Sequence, residues 1–333
     1  MTSPGPAAPV GRRRVLPALA LATAVVTYFL IILGSTVRVT ESGMGCPGWP
    51  LCYGQLGPID HFHALLEQSH RYVVTLVTLL VLLTAAAAWR WARRQRTVLY
   101  PALAAVVVIA IQIVLGAVTV VTHNAPFTVA LHLLMGLLVL AVTWVTAITS
   151  LVALRPATGR RLHPLGWWTL GVTFVLLLSG SLVVDGGASY ACPSWPFCTS
   201  SSGVPAPLIT IQYSHRLMVL VATVLLALLA MRAARRWRPV PGARIAADLI
   251  AILLVAQIAV GGLVATTGAP EALQDLHLAL AAGIWVAVVA LVTLGWLTAA
   301  DSLHPTGQPA RPPSGAEGGL RRNMGPTPST EES

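Results

Sequence analysis

The stretch "ALLEQSHRYVVTLVTLLVLL", Ala64 to Leu83, decides the fold. An apolar run long enough to enter a bilayer begins with Glu67, His70 and Arg71, and ionisable groups at the mouth of such a helix are costly in lipid. The pattern returns as "IQYSHRLMVLVATVLLALL", Ile211 to Leu229. The chain is 56% hydrophobic and only 10% charged over 333 residues. That is too apolar for an ordinary soluble domain and predicts an all-α membrane protein with several spans.

Eight spans are expected: Val15–Val37, Ser69–Trp89, Leu99–Val121, Thr128–Leu151, Leu165–Val184, Tyr213–Met231, Ala246–Thr266 and Leu273–Thr298. The first exceeds a signal-peptide core in length and reads as a retained span. The net charge of +10 would suggest a nucleic-acid partner in a soluble protein. Here the basic residues lie in short loops, so charge reads as orientation toward membrane lipid, with no nucleic acid. All but Arg38, Arg71 and Arg216 of the 21 basic residues fall on one side, which places both termini in the cytoplasm and the Cys-bearing loops outside.

The chain is an internal duplication. "CPGWPLC" (Cys46–Cys52) recurs as "CPSWPFC" (Cys192–Cys198), "GSTV" at Gly34 as "GSLV" at Gly180, and "QIVLGAVTVVT" from Gln112 as "QIAVGGLVATT" from Gln257. "SHR" at Ser69 and "LHL" at Leu131 recur at Ser214 and Leu276. Each copy holds four helices, an even number, so both copies enter the membrane in the same sense. Two tandem, pseudo-symmetric four-helix bundles are expected, over 15–153 and 165–298. They would be flanked by a cytoplasmic N-terminus (1–14), a cytoplasmic linker (154–164) and a disordered tail (299–333).

Of nine His, four obey the repeat: His70 and His132, then His215 and His277, equally separated within each copy. Two imidazoles facing each other across a bundle suit bis-axial ligation of a haem iron, whereas zinc normally takes three or four ligands. The plainer alternative is interhelical hydrogen bonding. His61, His63, His123, His163 and His304 lack repeat partners and read as surface. Arg71 and Arg216 each follow a ligand candidate. They would meet haem propionates or simply snorkel to the interface.

The copies differ at one chemically telling place. Glu67 precedes His70 by three residues; the matching residue before His215 is Gln212. A carboxyl at a partly dry site can act as acid, base or transient nucleophile, so the first copy reads as the reaction centre. A helix cap or a His-orienting role is the alternative. The Cys residues read as two disulfides, Cys46–Cys52 and Cys192–Cys198, on the side where disulfides persist, stiffening lids over the pockets. A redox role for the first pair is a lesser alternative.

Together these motifs resemble the haem A synthase family, over residues 15 to 298: eight helices, the repeat, "ExxHR" at Glu67–Arg71, "SHR" at Ser214, His132 and His277 in "LHL", and a Cys pair in each copy. The resemblance implies an oxidoreductase that converts the C8 methyl of haem O to a formyl group through an alcohol. It implies a resident haem b held by His215 and His277, the haem O substrate held by His70 and His132, and Glu67 in catalysis. Whether oxygen enters from O2 or from water stays open, as do the electron-transfer partner, docking of a haem O synthase, and association into a homo-oligomer. A di-haem cytochrome b that only transfers electrons is the main rival; it would not need the Glu67/Gln212 difference. A transporter would need polar groups nearer the bilayer midplane.

Overall fold

A computed structural model describes residues 12–56, 60–152, 164–199, 203–236 and 242–301. Its eight long helices are α1 (Arg12–Val39), α2 (Phe62–Ala92), α3 (Arg96–Val121), α4 (Pro126–Val152), α5 (Pro164–Asp185), α6 (Ala206–Arg236), α7 (Ala243–Thr266) and α8 (Glu271–Asp301). Each is long and apolar enough to cross a membrane. Helices satisfy their own backbone polar groups, which is what lipid demands of a spanning segment. Among the described residues there is no strand, only an isolated bridge between Cys52 and Gln55. The proposed N-terminal segment, linker and tail lie wholly or mostly outside the described residues, as do His163 and His304.

Helices begin earlier than hydropathy suggests. α2 starts at Phe62 rather than Ser69, and α6 at Ala206 rather than Tyr213. The added turns are mixed in polarity but helical: Leu65 N–H bonds to His61 O at 2.8 Å, and Glu67 pairs with Arg71 one turn on. Hence His70 and His215 do not open their helices but sit about two turns inside them.

Within the first half, α1 packs on α2 and α4, and α3 on α2 and α4; within the second, α5 packs on α6 and α8, and α7 on α6 and α8. The halves meet where α8 lies against α4 and α1, and α5 against α4. Side-chain-to-backbone bonds cross between the halves: Tyr28 Oη–H to Ala279 O at 2.9 Å, Trp285 Nε1–H to Leu137 O at 3.0 Å and Arg38 Nη2–H to Ser181 O at 3.1 Å. At the end carrying the disulfide loops, Arg38 of α1 reaches Asp185 of α5 at 2.5 Å, and Ser181 Oγ–H steadies the other carboxylate oxygen at 2.6 Å.

The two halves are packed differently at the layer roughly three turns from the histidines. In the second half that layer is the aliphatic cluster of Leu226, Leu229, Ile250, Val288 and Leu291, all buried. Their repeat equivalents are Val81, Thr84, Ala105, Thr143 and Thr146, which line a small cavity. Thr23 and Thr84 hydroxyls hydrogen-bond across α1 and α2 at 2.9 Å, the kind of contact that holds helices together without a hydrophobic driving force.

Candidate functional site

Both halves build the same constellation at the disulfide end. Each candidate histidine rests its Cε1 edge over a glycine of the preceding helix. A Cβ added at Gly34 would lie 3.1 Å from His70 Cε1, at Gly116 3.1 Å from His132, at Gly180 3.3 Å from His215 and at Gly261 2.8 Å from His277. A Cβ would crowd the ring at all four positions and could not be placed at Gly261 without moving His277. The glycines fix where each imidazole stands. They were visible in the sequence as fixed points of the repeated strings around Gly34/Gly180 and Gly116/Gly261, yet periodicity alone gives a glycine no role.

The ring nitrogens are arranged alike. Gln112 Nε2 lies 3.3 Å from His132 Nε2, and Gln257 Nε2 lies 3.2 Å from His277 Nε2. An amide nitrogen only donates, so in that orientation the ring Nε2 accepts and the proton sits on Nδ1. The Nδ1 atoms of His70, His132 and His277 are buried without a hydrogen-bond partner. Two histidines in each half, each seated on a glycine of the preceding helix, would suit axial ligation of a haem iron, with Gln112 and Gln257 yielding the Nε2 atoms of His132 and His277 to the metal. Among the described residues no three His, Cys, Asp or Glu side chains gather into a metal-ion cage.

Glu67 is 5% exposed and doubly held. Its Oε2 accepts the Cys46 N–H at 2.8 Å and its Oε1 accepts Arg71 at 2.5 Å. The loop reaches it because Gly45 presses on the start of α2: a Cβ there would come within 2.6 Å of Ala64 N. In the second half the loop offers the opposite polarity. Gln212 Nε2 donates to Ala188 O at 2.8 Å and to Ser189 O at 3.4 Å, and Ala191 stands where the first half has Gly45. The loop backbones are thus matched to a carboxylate in one half and to an amide in the other.

Cys46–Cys52 and Cys192–Cys198 are bonded, closing both loops. Arg71 and Arg216 both hold those loops. Arg71 donates to the carbonyls of Gly48 (2.8 Å), Pro50 (3.2 Å) and Leu51 (3.3 Å), and Arg216 to those of Cys192 (2.9 Å), Ser194 (2.9 Å) and Pro196 (3.1 Å). Each therefore clamps a loop beside its own histidine, a role that residue spacing did not reveal. In the second loop Trp195 lies against Gly262, next to the glycine that seats His277, with its nearest ring atom 3.4 Å from a Cβ built there. His61, His63 and His123 are exposed, and the ring Nδ1 of His63 pairs with Ser42 Oγ at 2.8 Å.

The heme A synthase of Geobacillus thermodenitrificans is 32% identical over 268 residues, covering 77% of this chain and 83% of that protein. That of Geobacillus kaustophilus is 31% identical over 286 residues, covering 82% and 88%. That of Bacillus licheniformis is 29% identical over 238 residues, covering 68% and 78%. The COX15-CtaA family model, described as cytochrome oxidase assembly protein, matches residues 17–289. Eight membrane-length helices, the paired histidines within the matched region and these relatives make the chain a member of the COX15-CtaA family of cytochrome oxidase assembly proteins.

Proposed function

We propose that this chain is a haem A synthase that oxidises the C8 methyl group of haem O to a formyl group through a hydroxymethyl intermediate. The substrate porphyrin is held in the N-terminal half by His70 and His132. A resident haem b is held in the C-terminal half by His215 and His277. When bound, that haem supplies one-electron redox chemistry. The disulfide end faces the extracytoplasmic side of the cell membrane and both termini face the cytoplasm, in keeping with the distribution of Arg.

The observation that carries the reading is Glu67 against Gln212. A duplicated site keeps its histidines, glycines, disulfide and arginine in both copies, yet at the position one turn before the first histidine it places an ionisable carboxyl in only one. A cytochrome that only relays electrons has no use for that difference. Methyl oxidation does, because protons must leave the reacting carbon as electrons are withdrawn, and a fixed carboxylate can take them. The Cys46 N–H and Arg71 orient Glu67, and the clamped loop keeps bulk water from the pocket.

Expression in a host that makes haem O but no haem A, followed by chromatography of the extracted haems, tests the assignment. Haem A should appear with the intact chain. Recovery of haem O and haem b alone would return the chain to the electron-transfer class.

A further inference from the structure

His215 differs from its repeat partner His70 in one contact. Ser179, the residue before the glycine that seats His215, donates its hydroxyl proton to Leu176 O at 2.7 Å and lies 2.8 Å from His215 Nδ1. With its one proton committed, the hydroxyl oxygen can only accept from the ring. Nδ1 of His215 therefore carries the hydrogen, and Nε2 keeps its lone pair. The repeat equivalent of Ser179 is Leu33, which has nothing to offer, and His70 Nδ1 is buried without a partner. Nδ1 of His132 and His277 is equally unpartnered.

We propose that Ser179 is a positioning residue that makes His215 the most firmly fixed of the four iron ligands, and that Leu33 leaves His70 without that anchor. This rests on the assignment of a porphyrin to each half given above. A hydrogen bond from Nδ1–H fixes ring rotation and tautomer and raises the basicity of Nε2, strengthening its bond to iron and most of all to ferric iron. The second half is thereby built to retain its porphyrin. The first half is built to let a ligand go, as a site must when its porphyrin arrives as substrate and leaves as product. The aliphatic packing beneath the second site and the small, hydroxyl-lined packing beneath the first run in the same direction.

The test uses the purified full chain carrying its haems. The haem b loss rate to an excess of apoglobin and the midpoint potential are measured for wild type, Ser179→Ala, Ser179→Thr and Leu33→Ser. Ser179→Ala should lose haem b about tenfold faster and shift its potential upward, by the scale on which orienting partners act on metal ligands. Ser179→Thr, which keeps the hydroxyl, should restore both. Leu33→Ser, a change confined to the first half, should slow porphyrin loss from the first half and lower the potential there. Wild-type rate and potential in Ser179→Ala overturn the proposal. Should that variant not fold, an unchanged porphyrin-loss rate in Leu33→Ser overturns it. Wild-type protein without haem in the second half overturns the two-site assignment itself, a result seen before any variant is made.

Discussion

The carboxylate of Glu67 accepts the backbone N–H of Cys46 at 2.8 Å, tying the disulfide loop to the helix that bears His70. Glu67→Gln keeps an acceptor for that N–H and nearly the same shape but cannot take a proton. Conversion of haem O should fall by about 100-fold or more, the usual contribution of a positioned acid or base. Haem content should stay at the wild-type level. Chromatography of extracted haems reads both at once, and undiminished haem A would remove Glu67 from the chemistry.

Gly261 and Gly180 give an ordered pair of tests. A Cβ at Gly261 meets His277 Cε1 at 2.8 Å, closer than any real side chain tolerates, whereas at Gly180 it meets His215 at 3.3 Å. Gly261→Ala should therefore weaken haem b binding about tenfold or more, and Gly180→Ala less. Haem b per polypeptide, measured as the pyridine haemochrome, gives the ranking. The reverse order would mean that the glycines do not seat the rings.

Arg38 and Asp185 join the two halves by a largely buried ion pair. Removing one partner leaves the other charge unpaired at the seam. Asp185→Asn should cost on the order of 3 kcal/mol in stability. A thermal unfolding scan in detergent should show a lower transition, while conversion of haem O at low temperature persists. An unchanged transition would show that α8 against α4 and α1 carries the seam alone.

How much of this could be read from the chain follows from what each signal measures. Apolar runs are long because lipid is thick, so eight helices are legible, and the duplication makes His70, His132, His215 and His277 stand out from five other histidines. The true start of α2 at Phe62 is not legible, because hydropathy loses a helix once its turns leave the apolar zone. Arg71 and Arg216 invite a propionate reading from position alone; only the folded loops reveal the carbonyls they hold. Arg38 with Asp185, and Ser179 with His215, lie on different helices and have no repeat partner, so no local pattern announces them. Leu33 opposite Ser179 shows that the informative positions in a duplicated protein are those where the copies disagree.

The account stands on two porphyrin sites of different occupancy, one in each half. His132→Ala and His277→Ala, each expressed where haem O and haem b are both made, separate them. Extracted haems per polypeptide should show His277→Ala depleted of haem b with haem O retained, and His132→Ala depleted of haem O with haem b retained. Loss of the same haem from both variants, or of neither, would contradict the account.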